Sequence, residues 1–190
     1  MAEAQAAPHG IRFIELPASK DPEGAARFLE FRPTLSFAKS RLGVKEAIGV
    51  EQLVTYTPII CLADKDPELT YHLAKWWDEN YDRYKDAHSL AVGMSIDSFR
   101  GLLDTTYLPV HEGTIRYLKE KGLWTVDDDK RQEYNVNLLN RYIEAYQACI
   151  KKADGEGVKV DPQNKEWTEL WENYKKEHNL PLFKVMLEIP

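Results

Sequence analysis

One segment limits the possible folds more than any other, the run from Thr125 to Ile150. Thr125 followed three residues later by Asp128 is a capping-box start. Tyr134, Leu138, Tyr142, Ala145 and Cys149 then recur at helical spacing, and Leu139, Ile143, Tyr146 and Ile150 form a second stripe beside them. Two adjoining stripes cover roughly half of a helix circumference, so this helix needs more than one packed neighbour. A chain organised around it is mostly helical.

The flanking segments support that reading. Ile11–Leu16 alternates and is bounded by Pro17, which predicts a first strand. The Ser19–Glu23 run opens a helix through Phe28 and Leu29, interrupted by Pro33. Residues 34–49 show no clear pattern. Val50–Leu62 carries the strongest strand signal, with a bulge or edge at Pro58 and a buried apolar run over Thr57–Leu62. Asp66-Pro67 starts a helix whose apolar face is Leu69, Leu73, Trp76, Trp77 and Tyr84. Ser95 caps a short helix with Ile96, Phe99, Leu102 and Leu103, and another helix runs through Leu118 to a C′ glycine, Gly122. Gly155 and Gly157 break the chain before an amphipathic helix with Trp167, Leu170, Trp171 and Tyr174. Leu182–Ile189 predicts a last strand. The sum is an α/β (α+β) fold, predominantly helical with a small sheet, forming one domain over residues 11–190 behind a disordered 1–10.

A net charge of −6, with no basic patch interleaved with aromatics, excludes a nucleic-acid partner. No apolar run approaches the ~18 residues of a membrane span, so the chain is not membrane-spanning. The start has neither a cationic n-region nor an apolar h-region. The compartment is therefore periplasmic if a signal peptide was removed, and cytoplasmic as the sequence stands. Cys61 and Cys149 fall in different elements among apolar neighbours, which predicts buried free thiols rather than a disulfide.

Chemistry-bearing patterns are sparse. His111 beside Glu112 opens a helix, where the pair could orient a proton donor or bind an anion, although a capping or packing histidine is the plainer reading. Asp127-Asp128-Asp129 sits in a helix first turn, where carboxylates complement the dipole without a metal. Asp154-Gly155-Glu156-Gly157 lacks a calcium-loop pattern. HExxH, GxSxG, P-loop and GxGxxG motifs are all absent. The sequence predicts no catalytic residue, no metal and no cofactor.

One stretch carries a family resemblance. Pro109-Val110-His111-Glu112-Gly113-Thr114-Ile115-Arg116-Tyr117-Leu118-Lys119-Glu120-Lys121-Gly122-Leu123-Trp124 resembles the signature P-L-H-P-G-A-I-R-Y-Y-K-E-K-G-x-W of TAXI-family solute receptors of TRAP transporters. Glu112, Thr114 and Leu118 depart from it. The resemblance extends more loosely over residues 11–178. It implies part of a periplasmic-binding-protein-like fold, specifically the family's C-terminal portion. The family's glycine- and serine-rich first strand-loop, which supplies much of the ligand site, has no counterpart here. The implied function is a non-catalytic solute-receptor-like protein that binds a small organic acid or forms part of a binding assembly, completed by another protein chain or by itself. His111, Glu112 and Arg116 are the candidate ligand contacts. A small structural or regulatory subunit of a cytoplasmic enzyme complex is the alternative.

Overall fold

The computed structural model describes residues 6, 8, 10–55 and 58–185. Side-chain caps set most helix starts. Asp21 accepts the Gly24 amide and begins α1 (Pro22–Phe31), and Asp66 accepts the Glu68 amide and begins α2 (Pro67–Glu79). A proline at the first position of each helix has no amide to leave unsatisfied. The short α3 (Tyr81–Tyr84) continues from α2, and Ser95 caps α4 (Ile96–Leu103). His111 caps α5 (Glu112–Glu120), which Gly122 ends at φ 68°, a left-handed conformation that a glycine adopts without steric cost. The reciprocal Thr125–Asp128 capping box starts α6 (Val126–Glu156), and Asn164 caps α7 (Lys165–Glu177).

The described residues thus form a mostly helical α/β fold of seven α-helices with one two-stranded antiparallel sheet, β1 (Ser36–Lys39) and β2 (Glu51–Val54). Three of the expected strands change. Ile11–Leu16 is not a strand, because only the Leu16 amide reaches the β2 edge, at Glu51 O (2.8 Å). The long strand over Val50–Leu62 shrinks to β2. In its register Ser36 faces Val54, so residue 59 would need residue 31, which already belongs to α1. Thr57 lies outside the described residues, and Pro58–Leu62 is irregular and open, with Cys61 exposed rather than buried. Leu182–Val185 is irregular, its one backbone tie running from the Val185 amide to Pro33 O, and residues 186–189 lie outside the described set, as does most of the N-terminal stretch expected to be disordered. Gly155 stays inside α6, and the break comes at Gly157, φ 71°.

Packing concentrates in two places. The first joins α2 to α5 around the fully buried Tyr117 and Leu118. The second joins α6 to α7, where Cys149, Ala153 and Trp167 form a cluster flanked by Ile150, Leu170, Trp171 and Tyr174. Tyr146 meets Trp167 and Trp171 edge to face at 5.7 and 5.3 Å, in the arrangement favoured by ring quadrupoles. Burial stops well short of the apolar supply. Leu69, Leu73 and Trp76, expected in the core, stay exposed on α2, because the side turned to α5 carries Thr70, Tyr71 and Asp78. The chain exposes 13460 Å², whereas a compact 22.0 kDa monomer exposes about 9,300 Å² by the usual size scaling.

Candidate functional site

The expected site residues gather where α2 meets α5. Gly113, in the first turn of α5, is buried, and a Cβ there would sit 2.0 Å from Pro67 O and 2.3 Å from Thr70 Oγ1. The absent side chain lets the two helix N-termini touch. His111 completes the junction. Its Nδ1 accepts the Gly113 amide at 3.3 Å and lies 2.8 Å from Thr70 Oγ1, which is itself 3.2 Å from Pro67 O. With Nδ1 accepting an amide, the neutral ring carries its proton on Nε2. That atom is buried with no partner among the described residues. Among the described residues no carboxylate bonds the ring, and the one hydroxyl beside it, that of Thr70, lies within reach of Pro67 O. His111→Ala should lose about 1–2 kcal/mol, one cap and one side-chain hydrogen bond. His111→Asn, which can still cap, should lose less; equal melting temperatures for wild type and both variants would contradict the cap.

Glu112 is exposed in the first turn of α5. Arg116 sits across the helix pair, donating to Glu68 Oε1 at 2.6 Å and stacking over Tyr71 at 4.3 Å. The Arg116 hydrogen bond holds the Glu68 carboxyl below its ordinary range, and Glu68 in turn raises Arg116. Tyr71 donates to Glu120 at 2.5 Å. The structure therefore brings His111 and Arg116 to one interface. Both face α2, with Arg116 neutralised there and Glu112 turned to solvent.

Sequence reasoning did not single out the polar cluster at the far end of the same interface. Tyr117 donates to Asp78 Oδ2 at 2.5 Å, and Lys121 lies 3.0 Å from the same oxygen. Burial would raise the Asp78 carboxyl, but the hydrogen bonds from Tyr117 and Lys121 outweigh it and leave it lowered. Burial first, and then Asp78, pushes the Tyr117 phenol well up. A carboxylate depressed on folding stabilises the chain above its unfolded pKa, and that contribution vanishes as pH falls through the folded value. The Asp78 contribution should therefore be complete at neutral pH and fade below about pH 4. Denaturant titrations of wild type and Asp78→Asn should converge in acid; a gap unchanged from pH 7 to pH 3 would contradict this.

A second missed set ties the preceding loop to α6. Gln132 donates to Val110 O and accepts the Val110 amide, both at 2.8 Å, as a strand neighbour would. Asn135 Nδ2 donates to Thr106 O (3.1 Å) and is 3.4 Å from Leu108 O. Asp128, buried, joins the α6 cap to Arg100 on α4 at 2.9 Å. These bonds fix how the Thr106–Val110 loop enters α5. The polar Arg131 and Asn135, continuing the buried side of α6 that also carries Leu138, were the available signal.

Among the described residues no group of three His, Cys, Asp or Glu side chains could hold a metal ion, and no helix is long and apolar enough to cross a membrane. A hollow of about 700 Å³ lies elsewhere, between Ile11–Glu15, Glu46 and Val50. One wall is the irregular N-terminal segment, with Ile14 out in solvent, so it is a surface groove and not an enclosed binding site.

These features define a helical α/β chain whose Pro109–Trp124 stretch builds an interhelical joint. Residues 41–122 match the family model of the NMT1-like family, a periplasmic solute-binding family related to TRAP and ABC receptors. The matched stretch, under half of the chain, spans β2, α2 and nearly all of the Pro109–Trp124 signature. No curated protein and no solved structure matches the chain.

Proposed function

We propose that the chain is a non-catalytic, solute-receptor-like protein of TAXI type that works as part of a binding assembly for a small organic acid. The observation that carries this is the match of residues 41–122 to a solute-binding family. Two features of the structure support the assembly. The hollow beside Ile11–Glu15 is an open groove away from α2 and α5, and the total surface the chain leaves open is far larger than a compact monomer of its mass shows. A carboxylate bound on one side only stays in water, where each charged contact is weak. Arg116 could anchor such a ligand by exchanging Glu68 for it, and the buried His111 Nε2, without a partner among the described residues, is a further donor at the α2–α5 junction. Closure by a second surface is what would make that exchange favourable.

Calorimetric titration of the monomeric fraction with acetate, succinate and glutamate tests the reading. Dissociation constants weaker than millimolar are expected for all three. Micromolar binding by a demonstrated monomer would show a complete site in one chain. Turnover of any substrate lost on His111→Gln, with folding and affinity unchanged, would overturn the non-catalytic assignment.

A further inference from the structure

We infer that Leu180–Val185 is a releasable strap that couples the two ends of the chain. Closed, it holds the unit of α1, β1 and β2 in order; released, it frees that unit while α2 to α7 stay folded. The strap leaves α7 through Asn179, whose left-handed φ of 48° turns the chain back, and the Leu180 amide closes the helix end on Lys175 O at 3.0 Å. It then crosses α6. Arg141 donates to Asn179 O at 3.3 Å, Tyr142 donates to Pro181 O at 2.9 Å, and the Phe183 ring lies 4.6 Å from that of Tyr142. Burial alternates along it: Pro181, Phe183 and Val185 are half-buried while Leu182 and Lys184 are exposed, as in an extended segment laid on a surface. Its far end reaches the N-terminal unit, where the Val185 amide donates to Pro33 O at 2.8 Å, between α1 and β1.

The N-terminal unit needs such a holder because it builds almost no core. Among the described residues up to Thr55, Ala47 is the one buried side chain, and α1 buries none. Phe28 meets Phe37 edge to face at 6.0 Å, joining α1 to β1. A two-stranded pair is marginal without a further packed face. Leu42 supplies one attachment to the helices: it seats on Gly93, where an added Cβ would lie 2.8 Å from Leu42 Cδ1. Leu42 lies in the connection from β1 to β2, at one end of the hairpin, and Pro33 lies at the other. With the strap released, Leu42 still holds its end and the Pro33 end loses its tie to α6. The α6–α7 cluster contains no strap residue, and Tyr117 and Leu118 of the α2–α5 centre pack without it, so both survive the release. By linkage, whatever binds the released strap or its Tyr142 seat shifts the N-terminal unit toward the free state.

Native-state hydrogen exchange of the full chain is the test, with Phe183→Ala, Tyr142→Phe and Leu182→Ala as variants. Phe183→Ala should speed exchange of the β1–β2 ladder amides by about tenfold or more and leave α2 and α5 unchanged, since each cooperative unit reports its own opening. Tyr142→Phe keeps the ring and removes only the hydrogen bond to Pro181 O, so the same amides should speed up by a smaller factor. Leu182→Ala, on the solvent side of the strap, should leave every rate unchanged. A ladder unchanged in Phe183→Ala, an equal acceleration over the whole chain, or ladder amides already unprotected in wild type would each overturn the inference.

Discussion

Gly113→Ala is expected to destabilise the chain by about 3 kcal/mol, the upper end of what one inserted methyl does in a packed interior. The new Cβ would meet Pro67 O at 2.0 Å and Thr70 Oγ1 at 2.3 Å. The first is backbone at the start of α2, so it can yield only if the whole helix moves away. That movement would also pull His111 from Thr70 and Tyr117 from Asp78, which are 2.8 and 2.5 Å apart. Gly155→Ala provides the opposite sign, because this glycine lies inside α6 with nothing within 4 Å of an added Cβ. There the substitution should stabilise by about 0.5–1 kcal/mol. Urea midpoints for the two variants check both. Equal midpoints would mean that α2 and α5 do not approach this closely.

Trp167→Ala is expected to lose about 3–5 kcal/mol, as buried indole truncations do. Trp167 is the largest buried side chain of the α6–α7 cluster, against Cys149 and Ala153. With the ring gone, α7 keeps only half-buried contacts, and a helix of 13 residues is marginal by itself. Hydrogen exchange should show Lys165–Glu177 losing protection while α2 and α5 keep theirs, because the two packing centres share no residue. Retained protection in α7 would contradict the assigned core.

Local chemistry was the legible part of this sequence. Each cap bonds an amide two or three residues away, so Asp66, Ser95 and Thr125 announced their helices without any tertiary information. Non-local choices were not legible. The Val50–Leu62 pattern suits a strand throughout, but pairing needs a partner edge, and β1, opposite Val54, begins only at Ser36. The missed β1 lies in residues 34–49, where no periodicity marks it. On α2 the most apolar side stayed in solvent because α5 offers polar partners, the Thr70–His111 and Asp78–Tyr117 pairs, to another side. For the site, the signature located the α5 start and, along it, His111 and Arg116. It could not reveal that Glu68 occupies Arg116 or that Gly113 is a contact point, since both depend on which helix lies across from α5.

The proposed role of this chain is that of a receptor-like component whose binding surface another chain completes. Native mass spectrometry of the protein purified from its source tests it most directly, since partner chains and retained small molecules are weighed together. The account predicts a species heavier than the 22.0 kDa chain, with any small acid retained on the assembly and absent from the released monomer. A lone 22.0 kDa species carrying the small molecule by itself would contradict it.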